Sequence, residues 1–311
     1  MKAAVLKQQG TPPQFGDFRE PEPTPHQVVI EVLAAGVHHV DVLKGSGAVT
    51  PSPATPYVVG SDGVGVTPDG RRVFFDAPVA PFGSWAQRTL VAEDCLLEVA
   101  DKVDNLTAAA LGNTGLAAWL ALSWRARLQA AESVLILGAA GALGSIAVQA
   151  AKVQGAAHVI AADRHADRLR RAHEHGADAT VVIDDGDLVP RLLEAAGAHG
   201  IDVIIDPLWG EPALAAMKAA SPGARHIQLG DAAATIVDLP GAVLRSSELH
   251  IMGFRYFDTP PAERHVAYRM LTEHAAEGEI SVDVIPMSLD AVESAWQEQQ
   301  RGARAKLVLV P

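Results

Sequence analysis

The feature that most constrains this chain is an apolar run that leads directly into a glycine-rich turn. Residues 134–149 read VLILGAAGALGSIAVQ, in which a buried-strand pattern is followed by glycines at 138, 141 and 144 and then by a helix-forming stretch. Glycine at the first two positions lets the chain turn tightly and lets backbone amides approach a ligand, and the third glycine lets a helix pack closely on the strand. The segment therefore predicts an anion site at a helix N-terminus.

The same pattern of a strand followed by a helix recurs along the central part of the chain. Each brief β-branched run ends in a turn signal, and most are followed by a stretch with helical spacing, such as residues 166–174 or 188–196. Repeated strand–helix–strand units predict a doubly wound parallel sheet, and with the glycine-rich turn they predict a Rossmann domain. The predicted strands are Val134–Leu137, Val159–Ala162, Thr180–Ile183, Val203–Ile205 and His226–Leu229.

An acidic residue follows the second of these strands. Asp163 lies where a carboxylate would accept hydrogen bonds from the adenosine ribose of a dinucleotide. A 2′-phosphate within about 4 Å of it would meet a repulsion of roughly 1 to 4 kcal/mol. We therefore predict NAD(H) rather than NADP(H), although Arg164 and Arg168 follow closely and either could bind a phosphate.

Different patterns flank this central segment. The first 107 residues carry short apolar runs punctuated by Pro and Gly, which indicates a small β-rich domain with irregular loops. The runs are Ala3–Leu6, Val28–Leu33, Val58–Val66, Arg72–Phe75 and Leu96–Val99. After about Met252 we expect helices over 262–277 and 291–300 and a closing strand over 305–310, and we expect this tail to return to the first domain. A chain of 311 residues also exceeds what one core usually serves. The predicted domains are residues 1–112, 113–254 and 255–311, the central one being the inserted Rossmann domain.

Composition excludes several classes of function. A formal charge of −12 opposes binding to a nucleic acid, and no apolar run reaches about 18 residues, so we expect neither nucleic acid nor membrane as a partner. We expect a soluble, cytoplasmic protein that acts on a small molecule. Cys95 is the single cysteine, which excludes an internal disulfide and any zinc site with two or more thiolates.

Motifs spread over nearly the whole chain resemble those of the medium-chain dehydrogenase/reductase superfamily, most closely its zinc-independent quinone oxidoreductase-like members. They include MKAAVL, VVIEVLAAGVHHVDVLKGSG, PYVVGSDGVG, HEHGAD, DVIIDP, PGARHIQLG, IMGF and RAKLVLV. The resemblance implies a fold in which the Rossmann domain is inserted in a GroES-like, β-rich catalytic domain formed by both ends of the chain. It also implies a homodimer, for which edge pairing between Rossmann sheets would be the natural route.

The resemblance also bears on metal content. In zinc-dependent relatives the catalytic ligands fall at positions that match His38, Ser61 and about Ala110, which together offer a single imidazole. A catalytic zinc needs about three good protein ligands, so we predict no metal. An unusual site built from His26, His38, His39 and Asp62 is the alternative.

Without zinc, a reduced nicotinamide can pass hydride to a quinone or to the β-carbon of an enone, provided that a proton donor and oxyanion-stabilising groups are present. By resemblance His38 is a candidate acid, Thr114 packs against the nicotinamide, and Asn113 offers an amide donor. The alternatives are that one of His38 and His39 is packed while the other is solvated, and that Asn113 and Thr114 cap a helix. The predicted catalytic residues are His38, Asn113 and Thr114, and the predicted cofactor contacts are Thr114, Gly138, Ala140, Gly141, Ala142, Leu143, Gly144, Asp163, Arg164, Arg168, Leu229, Gly230, Gly253, Phe254 and Lys306.

Lys306 has two interpretations. By resemblance it matches a basic residue that reaches the pyrophosphate, but it could equally be a solvent-facing lysine on the last strand. For the whole chain we favour an NAD(P)H-dependent reductase of quinones, enones or related activated carbonyl compounds. A zinc-free ketone or alcohol dehydrogenase of a biosynthetic pathway and a non-catalytic dinucleotide sensor are the alternatives.

Overall fold

A computed structural model describes residues 1–49 and 52–311. They form 16 strands and 10 α-helices, together with four short 3-10 segments and the π-helical segment Ala121–Ala126. The strands are β1 Lys2–Leu6, β2 Gln14–Asp17, β3 Gln27–Gly36, β4 Tyr57–Val58, β5 Asp62–Val66, β6 Arg72–Asp76, β7 Arg88–Ala92, β8 Leu96–Glu98, β9 Ser133–Leu137, β10 His158–Asp163, β11 Ala179–Val182, β12 Val203–Asp206, β13 Arg225–Gln228, β14 His250–Gly253, β15 Val284–Ser288 and β16 Lys306–Val310. The helices are α1 His39–Ser46, α2 Asn105–Leu111, α3 Asn113–Leu120, α4 Ala142–Val153, α5 Ala166–Glu174, α6 Leu188–Ala196, α7 Gly210–Ala219, α8 Gly241–Ser247, α9 Pro261–Ala276 and α10 Val292–Arg301.

The chain divides into two compact units. The first contains Met1–Thr114 and Pro261–Pro311, and the second contains Gly115–Pro260. The second unit thus begins at residue 115 rather than at the predicted 113, and it ends at residue 260 rather than at 254. The later end has a local cause, because Phe254 is buried beside Trp124 and the short 3-10 turn Tyr256–Asp258 follows it within the same unit.

The second unit is a Rossmann domain. Its six strands are all parallel and lie in the order β11-β10-β9-β12-β13-β14, which is the doubly wound order with its switch point between β9 and β12. The side chains of β9 are all buried, as expected for a central parallel strand covered on both faces. Apolar residues from β9, β10, β12 and helix α6 form one core cluster of this unit.

The first unit is β-rich, as the sequence predicts. It contains a three-stranded sheet in the order β2-β1-β4 and a larger sheet in the order β15-β16-β3-β5-β6-β8, with β7 paired to β3. The C-terminal strand β16 lies antiparallel to β3, so residues from the two ends of the chain meet in one sheet. Trp85 and Trp296 contact each other edge to face in the core of this unit.

Among residues 1–49 and 52–311, no single helix is long and apolar enough to cross a bilayer. One bent pair of helices, Asn105–Leu111 with Asn113–Ala126, is long and apolar enough by length and composition alone.

Candidate functional site

The glycine-rich turn has the geometry that its sequence predicts. Gly138 directly follows β9 with φ of 65°, and Gly141 is the N-cap of the 12-residue helix α4, with no side chain to cap it. A Cβ at Gly144 would lie 2.2 Å from the carbonyl oxygen of Gly138, so only glycine fits there. The amides of the first helical turn, at Ala142, Leu143 and Gly144, therefore begin a helix that can bind an anion.

Asp163 ends β10, and its carboxylate is buried. One oxygen accepts a hydrogen bond from the backbone amide of Ala140 at 3.1 Å, and the other accepts one from the amide of His165 at 2.9 Å. The carboxylate thus fixes the glycine-rich turn to the end of β10, a positioning role that the sequence analysis missed. A carboxylate has about four acceptor sites, so these two bonds still leave capacity for ribose hydroxyls. Arg164 beside it is exposed and Arg168 is half-buried.

The remaining predicted cofactor contacts of this unit lie at the same edge of the sheet, because the strands are parallel. Leu229 and Gly230 follow β13, while Gly253 ends β14 and Phe254 follows it. The amide of Leu229 donates to the backbone carbonyl of Asp206 at 2.8 Å, and the amide of Phe254 donates to the backbone carbonyl of Gln228 at 2.9 Å. Because these two amides are already hydrogen-bonded within the protein, the carboxamide of a nicotinamide would have to bind other backbone groups there.

In the first unit, His38 lies at the centre of a buried polar cluster. It precedes α1, and its Nε2 lies 2.7 Å from Oδ1 of Asp62 on β5. Its Nδ1 lies 2.8 Å from Nζ of Lys306 on β16, and this Nζ also donates to the carbonyl of Val37 at 2.6 Å. His38, Asp62 and Lys306 are 6%, 0% and 5% exposed. We name these three residues the His38 cluster.

The hydrogen bonds of the cluster indicate its protonation. Lys306 offers only donors, so Nδ1 of His38 acts as the acceptor, and Nε2 then carries the proton that Asp62 accepts. Burial lowers the pKa of Lys306 to about 8, although the carboxylates of Asp62 and Asp41 act to raise it. Burial also acts to raise the pKa of Asp62, but His38, Lys306 and the amide of Asn113 outweigh it and hold this pKa below its ordinary value.

Two glycines make room for the cluster. A Cβ at Gly36 would lie 2.5 Å from Nε2 of His38 and 2.6 Å from Oδ1 of Asp62. A Cβ at Gly112 would lie 2.9 Å from Oδ2 of Asp62, the oxygen that accepts the amide of Asn113 at 2.9 Å. Glycine at both positions therefore leaves the space that the carboxylate of Asp62 occupies.

The three predicted catalytic residues come together in this unit. Oγ1 of Thr114 lies 3.5 Å from Nδ1 of His38, and Asn113 contributes its backbone amide to Asp62 rather than its side-chain amide. His38 is buried and His39 is exposed, so one histidine is packed and the other is solvated. The alternative interpretation of Lys306 as a solvent-facing lysine is wrong, because its ammonium is hydrogen-bonded inside the unit.

A second buried carboxylate adjoins the cluster. Oδ2 of Asp41 accepts the backbone amide of His38 at 3.0 Å, and Oδ1 accepts the hydroxyl of Ser61 at 2.6 Å. Burial raises the pKa of Asp41, although His38 and Ser61 act in the opposite direction. Asp41, Ser61 and Tyr57 also line a cavity of about 180 Å³ within this unit. Neither a role for Asp41 nor this cavity is predicted from the sequence.

The four residues of the alternative metal site do not form a group of close ligand atoms in the part of the chain that the structure describes. In residues 1–49 and 52–311, one group of three His or acidic side chains has its ligand atoms close together, and it consists of His274, Glu277 and Glu279 on the surface. Of the four residues considered from the sequence, His38 and Asp62 are hydrogen-bonded to each other.

The comparisons with known proteins agree with this geometry. The family model described as zinc-binding dehydrogenase matches residues 142–273. The quinone oxidoreductase of Rattus norvegicus is 32% identical over 224 residues, which cover 69% of this chain and 67% of that protein. The quinone oxidoreductase from Thermus thermophilus, whose structure was solved also as a complex with NADPH, is 30% identical with a TM-score of 0.82 and full coverage of both chains. The Escherichia coli quinone oxidoreductase complexed with NADPH, at 22% identity and a TM-score of 0.89 over both full chains, shares the fold.

The zinc that the family description implies does not fit the residues present. The positions that match zinc ligands are His38, Ser61 and Ala110, and alanine has no donor atom. The hydroxyl of Ser61 donates to Asp41. Both ring nitrogens of His38 have partners, and a zinc ion at Nδ1 would meet the ammonium of Lys306.

The parallel sheet with its glycine-rich turn, the split β-rich unit and the similarity to the rat and Thermus proteins lead to one assignment. The chain belongs to the medium-chain dehydrogenase/reductase superfamily of NAD(P)H-dependent oxidoreductases, as a quinone oxidoreductase-like member.

Proposed function

We propose that the protein is a zinc-independent reductase that uses a nicotinamide dinucleotide to reduce a quinone, an enone or a related activated carbonyl compound. The observation that carries this proposal is the turn from Gly138 to Gly144 at the switch point of the sheet. The names of the rat, Thermus and Escherichia coli relatives support quinones as the substrate class.

When bound, the reduced nicotinamide supplies a hydride. The amides of Ala142, Leu143 and Gly144 would hold the pyrophosphate, and Gly138 and Gly141 would let the backbone approach it. The predicted contacts at Leu229, Gly230, Gly253 and Phe254 remain part of this proposal, whereas the ammonium of Lys306 is already bound by Val37 and His38 inside the first unit.

A conjugated acceptor suits a site without zinc. Conjugation spreads the negative charge that develops on hydride addition, so a Lewis acid is not required. The polar groups that the first unit provides are the His38 cluster and the half-buried Asn113 and Thr114. Hydrogen-bond donors of this kind can stabilise an oxyanion and return a proton.

For the cofactor we propose a preference for NADH, which rests on the charge of Asp163. The Thermus and Escherichia coli relatives were solved with NADPH, so the preference needs a direct test. In Asp163→Asn we expect the affinity for NADPH to rise relative to NADH by at least about fivefold, equivalent to ~1 kcal/mol. Fluorescence titration of both variants with both nucleotides measures this ratio. A wild-type protein that already binds NADPH more tightly would show that Asp163 does not select NADH.

The proposed activity is tested on chelator-treated protein. We expect nucleotide binding by fluorescence, followed by loss of reduced-nicotinamide absorbance when a quinone or an enone is added, with no response to added zinc. Gly144→Ala should abolish binding because its Cβ collides with Gly138, whereas Gly241→Ala in the same unit meets only the flexible end of Arg245 and should bind normally. Binding without turnover of any acceptor would instead favour a dinucleotide sensor.

We also propose a homodimer that forms through the edge of the Rossmann sheet. Strand β14 ends the order of the six-stranded sheet, and Ile251 on it is 37% exposed. Ile251→Lys should shift the protein to monomer in sedimentation experiments, whereas Ile236→Lys, at a side chain that is 76% exposed, should not. A wild-type monomer would remove this proposal, and cytoplasmic location remains a prediction.

A further inference from the structure

The proposed hydride transfer also requires a proton, and the His38 cluster contains a titratable ammonium. Lys306 is almost fully buried, and its Nζ donates to the carbonyl of Val37 and to Nδ1 of His38. A buried lysine needs such partners, because an unpaired charge is costly inside a protein. A hydrogen bond from an ammonium to an imidazole nitrogen also lies along a line on which a proton can move.

The cluster has one side-chain route towards less buried surroundings among its described contacts. Oγ1 of Thr114 lies 3.5 Å from the same Nδ1 that faces Lys306, and Thr114 is half-buried. Asp41 and Ser61 reach the neighbouring cavity, but Asp41 touches His38 only through the backbone amide. A proton held by Lys306 can therefore leave through His38 and the hydroxyl of Thr114.

We propose that Lys306 is the proton source for the reduction of an enone, acting through His38 and delivering the proton from the hydroxyl of Thr114. This inference rests on the proposed function and selects one substrate class for it. In these terms Thr114 is the catalytic residue, and Lys306 and His38 supply and position the proton.

Atoms and electrons balance in this step. Hydride addition to the β-carbon of the enone moves the double-bond electrons to the carbonyl oxygen and gives an enolate. Nζ of Lys306 gives a proton to Nδ1 of His38, and the imidazolium formed gives that proton to Oγ1 of Thr114 as the hydroxyl proton of Thr114 moves to the α-carbon. Lys306 is left as a neutral amine and regains its proton from water, so the net reaction consumes one hydride and one proton. During the transfer Asp62 stabilises the imidazolium, because it accepts the hydrogen bond from Nε2.

The substrate class follows from where the proton must go. A quinone gives a hydroquinone anion whose charge lies on oxygen, which water protonates rapidly. An enolate that must be protonated on carbon gains far more from a placed acid, and such an acid typically contributes about 10²- to 10⁴-fold. A buried and connected proton source is therefore of use for an enone and of little use for a quinone.

The surroundings of Lys306 suit a group that gives up a proton near neutral pH. Burial lowers its pKa to about 8. The charged groups that act on it are Asp62 on β5 and Asp41 on α1. Helix α2 and strand β15, which pack beside β16, carry no titratable side chain, and Glu31, the one titratable residue of the partner strand β3, is exposed. The charged residues of α10, which also packs on β16, are Glu293, Glu298 and Arg301, and none of them is buried. Below pH ~8 the amine of Lys306 is protonated and can supply a proton. Above this pH it is neutral and cannot.

The experiment compares enone and quinone turnover in four variants of the full chain. Lys306→Arg keeps the positive charge, but the guanidinium does not deprotonate in proteins. Lys7→Arg, at an exposed lysine of the same unit, is its control. Thr114→Val removes the hydroxyl at nearly constant shape, and Thr114→Ser restores it. We measure kcat for a monocyclic enone and a monocyclic quinone from pH 6 to 10.

In Lys306→Arg and Thr114→Val we expect enone kcat to fall by about a hundredfold or more while quinone kcat changes by less than about threefold. Wild-type enone turnover should decrease above pH ~8, this dependence should vanish in Lys306→Arg, and Thr114→Ser should recover most of the activity. Equal losses on both substrates, or an unchanged enone profile in Lys306→Arg, would overturn the proton source while the reductase function stood. A wild-type protein that binds nucleotide but reduces neither substrate would overturn the proposed function itself.

Discussion

Gly36 leaves the space in which His38 and Asp62 meet, so adding one methyl group there tests how much that pair stabilises the first unit. A Cβ would lie 2.5 Å from Nε2 of His38 and 2.6 Å from Oδ1 of Asp62, which is closer than real Cβ contacts allow. Asp62 cannot retreat freely, because its other oxygen accepts the amide of Asn113 and lies against Gly112. In Gly36→Ala the imidazole and the carboxylate must therefore separate.

The magnitude follows from the burial of the pair. Asp62 is 0% exposed and His38 is 6% exposed, so separating them leaves a buried carboxylate without its main partner. The contact is a hydrogen bond from a neutral imidazole to a buried carboxylate, and leaving such a charged acceptor without its partner costs about 3 kcal/mol or more. Replacing glycine by alanine restricts the unfolded chain and returns about 0.4 to 1 kcal/mol. We expect Gly36→Ala to lower the free energy of unfolding by at least about 2 kcal/mol.

Urea unfolding at pH 7, followed by circular dichroism, measures this loss. Gly16→Ala is the matched control, because Gly16 also lies in a strand of the same unit and its Cβ would have nothing within 4 Å. The control should change the free energy of unfolding by less than about 1 kcal/mol. Equal stability of the two variants would refute the reasoning, since it would mean that the His38–Asp62 contact contributes no stability.

Three further outcomes are expected. Lys306 loses its proton near pH 8 in the folded chain but keeps it up to pH ~10.5 in the unfolded chain. The free energy of unfolding of the wild type, relative to that of Lys306→Met, should therefore rise by about 3 kcal/mol between these pH values. Urea titrations that show no rise would contradict the lowered pKa. Burial, with Asp76 and Asp94 nearby, raises the pKa of the Cys95 thiol to about 11. Alkylation of Cys95 by iodoacetamide at pH 8 should therefore be about a hundredfold slower than that of a thiol with a pKa of 9.0. A comparable alkylation rate would contradict the raised pKa. Gly144→Ala should unfold at lower urea concentration than Gly241→Ala, because its Cβ meets backbone whereas the other meets the end of Arg245.

The central sheet could be predicted almost completely from the sequence. Each of the five strands predicted there is found within one residue at either end. Strands β9, β10 and β12 are central and largely buried, so they show as continuous apolar runs. The edge strand β11 is marked by a β-branched run, whereas β14, at the other edge, is not predicted from the sequence. The residues of β14 are mostly exposed, so no apolar run marks it, and its partner strand rather than its own composition stabilises it.

The first unit was harder to predict because its strands are short and irregular. The sequence predicts one run from Val58 to Val66, but the structure has β4 and β5 with a break between them at Gly60, where φ is 107°. A Cβ there would lie within 2.4 Å of side-chain atoms of Ser84 and Trp85, so the break is fixed by tertiary packing. Strands β2 and β7 were missed altogether, and β2 consists of exposed or half-exposed residues with little apolar pattern.

The candidate site shows where residue patterns stop being sufficient. The sequence identifies His38, Thr114 and Lys306 as separate candidates, but 268 positions separate His38 from Lys306, and only the pairing of β16 with β3 brings them together. One signal was available in Asp62, an acidic residue in the otherwise small and apolar segment GSDGVGV, because a carboxylate in such a strand requires a buried partner. That requirement connects the residues: Asp62 needs a donor, His38 supplies it through Nε2, and Nδ1 is then left to accept from Lys306. The ammonium thus lies where a zinc ion would need the imidazole, so the contacts that satisfy the carboxylate leave neither ring nitrogen of His38 for a metal ion.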